Sequence, residues 1–322
     1  MPTLTVRRRP AGSRDPRIAV LGDLLLDVVL APRTAMLVGT DVPGLVSLRQ
    51  GGSAASTARW VARLGARAVL ITAVGRDPAG RALIREVESD GVTVRAVRPA
   101  GRRTGRIGVV IGAGGERSFV ADRGAADLLA PADVRPAWLT RVDHLHLPIY
   151  SLLAQPLGRA AQRAADLVRA AGGAVSVDLA SAAPIAEAGR RVTRERIDAV
   201  HPDLLFTTVA EARALIAGAP LDELLKVAPV AVIKRGGHGV TMLVRAADPD
   251  AGRLRFDVAT RPLDAQDTTG AGDAFDAGFL VAWLRGRAEG LRPAILLQRS
   301  AAAGHRAAAR QLTGPRSELT FE

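Results

Sequence analysis

From Val142 to Lys234, short apolar runs alternate with amphipathic stretches: HLHLPIY, a helical segment over about 154–171, AVSVDL, a helical segment over about 185–192, DLLFTT, a helix from Glu211, and VAVIKRG. Apolar runs this short are strands, and the stretches between them are long enough to cross a sheet as helices. Such crossovers are right-handed and lay successive strands parallel. The first third repeats the unit: IAVLG reads as a buried strand ending at Gly22, GGSAASTARWVARLGA as a helix, AVLITAV as a strand, and GRDPAGRALIREVESDGV as turn, helix and glycine stop. The expected fold class is α/β, one doubly wound, mostly parallel sheet flanked by helices.

Two segments break the alternation. Residues 31–50 lack helical period, contain Pro32, Gly39, Pro43 and Gly44, and end in the alternating VSLRQ; TGRIGVVIGAGGERSFV reads as a hairpin turning at Gly112 to Gly115. Together, near 31–50 and 103–122, they predict short, partly exposed strands that form a small β insertion. Residues 1–16, MPTLTVRRRPAGSRDP, carry a basic cluster and turn formers with no apolar stretch behind them, and read as a disordered tail before a domain over 17–322. No run offers the roughly 18 apolar residues that a membrane span needs.

A chain of 322 residues that is 48% hydrophobic can bury a substantial core, and 3% aromatics favours layered helices and strands over an aromatic-rich sandwich. The absence of cysteine removes disulfides, thiolate nucleophiles and cysteine-held zinc together, and fits a reducing compartment; a cytoplasmic location is expected. The net charge of +12 raises the question of nucleic acid. Lys226 and Lys234 are the only lysines, however, and the arginines are scattered without interleaved aromatics, so no nucleic-acid partner is expected.

The chemistry concentrates in DTTGAGDAFDAGFL, residues 267–280. Gly270, Ala271 and Gly272 free the backbone to curl so that amides converge, and the apolar run behind them makes a helix whose N-terminus favours an anion. This is a phosphate cradle without the P-loop lysine or the dinucleotide glycine spacing. A carboxylate at Asp273 would repel the phosphate the cradle attracts, unless it acts as a base that takes a proton from an attacking hydroxyl. The plain alternative is an acid that balances the helix dipole. Asp23 and Asp27 are expected just past the first strand, where α/β sheets bind ligands, and Asp27 suits hydroxyl recognition. Gly51 and Gly52 precede a helix and allow close ligand approach, as an ordinary tight turn would. His144 and His146 share one side of a strand and read as ordinary strand histidines rather than a metal pair; His238 and His305 are candidates to line a nucleotide pocket.

These residues carry a family resemblance. GGSAASTARWVARLGA and DTTGAGDAFDAGFL resemble, in order, the two signatures of the ribokinase-like (PfkB) carbohydrate kinases; GERSFVADRGA is similar to that family's passage from lid to main domain and VIKRGGHGV to its nucleotide-side strand and turn. The resemblance implies ATP-dependent phosphorylation of a sugar-like hydroxyl, with Asp273 as base, Gly270, Ala271 and Gly272 as anion hole, and the β insertion as a lid; the exposed edges of that small sheet are a pairing liability unless covered, so a homodimer joined through the lids is expected. The resemblance also implies acceptor contacts at Asp27, Gly51, Gly52 and Ser56, and nucleotide contacts at Lys234, Gly236, Gly239 and Thr268. Mg²⁺ would be ordered near Glu211 through water, and Asp267 and Thr269 match a neighbourhood where some members hold a monovalent cation such as K⁺. Two positions depart from the family: Ser56 and Thr208 stand where asparagines are usual. The alternatives are a nucleoside or phosphosugar kinase, and a catalytically weak sugar or nucleotide sensor.

Overall fold

The computed structural model describes residues 15–112, 116–246, 253–265, 267–315 and 317–321. The strands are β1 Arg17–Leu21, β2 Leu25–Pro32, β3 Gly44–Gly51, β4 Arg67–Ala73, β5 Thr93–Val97, β6 Thr104–Ile111, β7 Arg117–Gly124, β8 His144–Pro148, β9 Ala174–Asp178, β10 Leu204–Thr208, β11 Val230–Lys234, β12 Val240–Arg245 and β13 Arg253–Val258. Nine of them form one sheet in the order β13-β12-β11-β10-β9-β8-β1-β4-β5, parallel from β5 to β11 and antiparallel at β12 and β13.

Strand β1 explains the doubly wound arrangement. Ile18 and Val20 join one buried cluster and Ala19 and Leu21 the other, so this strand is apolar on both faces and reads as an unbroken run. The first cluster takes its helices from Ser53–Arg63, Pro78–Ser89, Ala271–Ala288 and Pro293–Thr313. The second takes them from Leu157–Ala170, Ala182–Ala188, Arg190–Asp198 and Val209–Ile216. Phe206 of β10 and Phe279 meet edge to face at 5.3 Å, tying the Ala271–Ala288 helix to the sheet. Strand order reverses at β1 and β8, the switch point where α/β sheets open a crevice beyond their strand ends. Among the described residues no helix is long and apolar enough to cross a membrane.

Several expectations change. The second sheet has four strands, β3-β2-β6-β7, and it begins earlier than expected: LLDVVLAP is a strand of this sheet, so Asp27, past β1, lies within β2. The partner of β2 is one long strand, β3, in place of several short ones over 31–50. Gly189, with φ 81°, breaks the segment expected as one helix over 185–192 into Ala182–Ala188 and Arg190–Asp198. The helix expected over 154–171 starts at Leu157, after a short helical turn at Tyr150–Leu153. The antiparallel pair β12 and β13 extends the sheet beyond VAVIKRG. Of the tail expected over 1–16, residues 1–14 lie outside the described residues, as do 113–115 of the Gly112 to Gly115 turn.

Candidate active site

The Ala271–Ala288 helix begins at Gly270, whose φ of 75° and ψ of 2° are left-handed and suit glycine. The Gln311 side chain donates to the Thr269 carbonyl at 2.9 Å and packs against Gly270. Eighteen residues of helix then place free amides and the positive end of the dipole at this loop. Asp273 sits in the first turn, and Ser53 Oγ donates to its Oδ1 at 2.6 Å. Burial pushes Asp273 up to about 7; the Ser53 hydrogen bond and Lys234 pull it down, and the charges of Asp178 and Asp23 push it up. A carboxylate of that affinity is suited to accepting a proton near neutral pH.

Beneath the loop lies an ionic cluster. Lys234, at the end of β11, donates from Nζ to Asp178 Oδ1 at 3.0 Å and to both Asp276 oxygens at 3.2 and 3.1 Å. The Asp178 and Asp276 side chains are 3% and 0% exposed. Burial works against the Lys234 ammonium, but the surrounding carboxylates outweigh it and raise its pKa. Its charge is committed to Asp178 and Asp276, although a Cβ added at Gly272 would come 3.5 Å from Nζ, so the cation lies directly behind the anion loop.

The expected acceptor residues gather one strand away. Asp27 projects against Gly51, where any Cβ would collide with its carboxylate. Gly52, at φ 97°, lies against the Asp23 backbone and caps the helix that starts at Ser53. Asp27 Oδ1 is buried with no hydrogen-bond partner among the described residues. Burial and then the Asp23 charge push Asp27 up to about 7, with Arg49 opposing. Ser56 lines the same cleft, together with Thr269 and Gly270. Asp23 accepts from the Ala54 amide at 3.1 Å and from Arg123 Nη1 at 3.3 Å, and the Arg123 guanidinium lies over the Tyr150 ring at 5.1 Å.

At the other expected positions, Gly236 and Gly239 turn the chain from β11 into β12, and the Thr268 carbonyl accepts the Ala271 amide at 3.2 Å. Thr208 caps the Val209–Ile216 helix: its Oγ1 accepts the Glu211 amide at 3.3 Å and its own amide donates to Glu211 Oε2 at 2.7 Å. The departure at Thr208 therefore keeps a capping side chain and fixes Glu211. Glu211 is buried, and desolvation first, then Asp178, raises its pKa. Among the described residues no group of three or more carboxylate or histidine ligands is preformed. At the expected cation position, the Asp267 carboxylate meets Arg117 at 2.7 Å and Arg49 at 3.6 Å and accepts the Thr269 amide at 2.9 Å. His144 and His146 share Ser176 at 2.7 and 2.8 Å inside the core. His238 is exposed, and His305 packs on Phe275.

Ser53, Asp178, Asp276, Arg49, Arg117 and Arg123 were missed from sequence. Asp276 alone had a local signal, three residues after Asp273 and so on the same helical face.

Comparison with known proteins decides the family. A family model described as pfkB family carbohydrate kinase matches residues 15–317. The chain belongs to the pfkB family of carbohydrate kinases. A fructokinase from Klebsiella pneumoniae is 31% identical over 284 residues, covering 82% of this chain and 83% of that one. An adenosine kinase from Sinorhizobium meliloti superposes with a TM-score of 0.77 at 23% identity, covering 96% of this chain and 98% of that one. An Escherichia coli protein described as ribokinase II, in complex with ATP and Mg²⁺, superposes with a TM-score of 0.74 at 23% identity over 94% of both chains. The pfkB membership makes this chain a phosphotransferase with an alcohol group as acceptor. It also makes the four-stranded sheet the counterpart of the ribokinase-like lid.

Proposed function

We propose that this pfkB kinase transfers the γ-phosphoryl group of ATP to a hydroxyl of a sugar or sugar-like small molecule. The observation that carries the reading is the buried Asp273 in the first turn of a helix whose amides open on a glycine loop, held by Ser53 at 2.6 Å. Asp273 accepts the proton of the acceptor hydroxyl as that oxygen attacks phosphorus. The amides at Gly270, Ala271 and Gly272 stabilise the charge that develops on the phosphoryl oxygens, where preorganised donors count most. Mg²⁺, when bound, offsets phosphate charge, and Glu211 is the residue placed to order its waters. Asp27, with its unpartnered Oδ1, accepts from an acceptor hydroxyl and orients it.

Coupled ADP release against pentoses, hexoses, sugar acids, phosphosugars and nucleosides tests the reading. A hit establishes the kinase, and binding of ATP and acceptor with no ADP release rejects it in favour of a sensor. Asp27→Ala is expected to raise acceptor KM by about 10-fold or more and to leave ATP affinity nearly unchanged, since one charge-assisted hydrogen bond is worth about 1.5–3 kcal/mol. The reverse pattern would show that the acceptor binds elsewhere.

Leu45 and Val46 on β3, and Phe119 and Val120 on β7, are 61–73% exposed on the two edge strands of the lid. Apolar edges of this kind are covered in a stable protein, which supports a homodimer joined through the lids. A monomeric mass in solution would reject it. A cytoplasmic location fits the ATP requirement and a chain without cysteine.

A further inference from the structure

Between the lid and the main domain lies a cleft of about 140 Å³ that contains Asp27, Ser56 and Gly270 in its wall. Four arginines also face it, and they fall into two kinds. Arg59 is held by Asp90, by Glu86 at 2.7 Å and by Gln50 at 3.0 Å, and Arg63 by Asp90 at 2.8 Å. Their charge is answered from behind the wall.

Arg49 and Arg117 are different. They come from β3 and β7, the two outer strands of the lid, and converge on one carboxylate, Asp267. Arg117 reaches it at 2.7 Å, whereas Arg49 stands off at 3.6 Å, too far for a hydrogen bond. The Arg49 side chain is only 31% exposed, so much of its solvation has been given up without a fork of acceptor oxygens in return. Arg49 is also the cross-strand partner of Asp27. From Asp27 the chain of contacts runs through Gly51 and Gly52 to Ser53 and the base, Asp273.

The cleft therefore has two chemically distinct ends. At one, Asp27 Oδ1 is an acceptor for hydroxyl protons, and Gly270 leads into the helix that carries Asp273. At the other, the Arg49 fork stands 3.6 Å off the carboxylate that Arg117 meets at 2.7 Å, and a neutral hydroxyl, with a single oxygen, cannot fill a planar fork of N–H donors. A phosphate ester or a carboxylate presents paired oxygens at the required spacing. We infer that the acceptor is an anionic sugar derivative, a phosphate monoester or a sugar acid, whose oxyanion is bound by Arg49 and Arg117 while its hydroxyl faces Asp27 and Asp273. This rests on the kinase reading and names the acceptor class of the same site. Asp267 then serves to hold the two arginines apart and oriented before the acceptor arrives.

The test compares matched sets, a neutral aldose, its phosphate monoester and its sugar acid, with the full-length protein and Mg²⁺-ATP. The anionic members are expected to exceed the neutral parent in kcat/KM by about 10²-fold, and the better of the two arms identifies the oxyanion. Arg49→Met and Arg117→Met are expected to raise KM for the anionic acceptor by about 10- to 100-fold, with kcat changed far less, and to change KM for the neutral parent by a much smaller factor. Arg49→Lys retains the charge but not the fork, so it guards against a folding artefact and is expected to show most of the same KM increase. Preferred turnover of neutral sugars, or anionic turnover indifferent to all three variants, would overturn the inference and leave the kinase standing. If no acceptor releases ADP, the kinase reading fails. Calorimetry with the same sets then decides the anion question separately: equal binding of neutral and anionic members overturns it, and an anionic preference lost in Arg49→Met supports it.

Discussion

Asp273→Asn is expected to retain the fold and ATP binding while kcat falls by about 10²-fold or more, because the amide preserves shape but cannot take the acceptor proton. The parent enzyme carries a second signature. With Asp273 pushed up to about 7 by burial, kcat/KM should decline as pH drops through that value and the base becomes protonated. Stability should run the other way. A carboxyl whose folded pKa is raised from 3.8 to about 7 binds its proton more tightly when folded, so its contribution is complete below the unfolded value and is lost as pH rises through about 7. Thermal melts at pH 6 and pH 8 should show the parent weaker at pH 8, and Asp273→Asn should narrow that gap. Asp27, shifted in the same direction, prevents it from closing. A folded Asp273→Asn protein with near-parental turnover would remove Asp273 from the base role.

Lys234→Met should cost more stability than any other single change at the site. It leaves Asp178 and Asp276 buried around a lost cation, and breaking a buried ion pair from one side costs about 3–5 kcal/mol. Adding Asp276→Asn to Lys234→Met should recover part of the loss, because one of the stranded charges is gone. Chemical denaturation of the parent, single and double variants measures all three. A single variant as stable as the parent would mean that the cluster is solvated or already protonated, contrary to the contacts at 3.0–3.2 Å.

The legible part of this protein was the part written locally. A glycine loop, a carboxylate and the apolar start of a helix occupy consecutive positions at 267–280, so their chemistry can be read without knowing the fold. The alternation of strands and helices likewise depends on short windows, and it gave the parallel sheet. What holds the base in place does not. Ser53 and Asp273 are 220 residues apart, and Lys234 and Asp276 are 42 apart. Only the order of strands in the sheet brings them together. The change of sheet between Asp23 and Asp27 was hidden because LGDLLLDVVL is apolar almost without pause, and nothing in its period marks where one strand ends at Leu21 and a strand of another sheet begins at Leu25. The arginine partners of Asp267 were hidden for the same reason: Arg49 and Arg117 are delivered by strands distant in sequence.

The two halves of the cleft belong to different elements. The glycine loop and Asp273 are built into one helix of the main domain, whereas Asp27, Arg49 and Arg117 ride on the lid strands. Alterations to β2, β3 or β7 can therefore redraw what the cleft accepts without moving the amides, the helix dipole or the acid that perform the transfer. Selectivity and chemical power are separately inherited in this architecture, and a lineage can change its diet by rewriting a few strand positions while its engine is passed on intact.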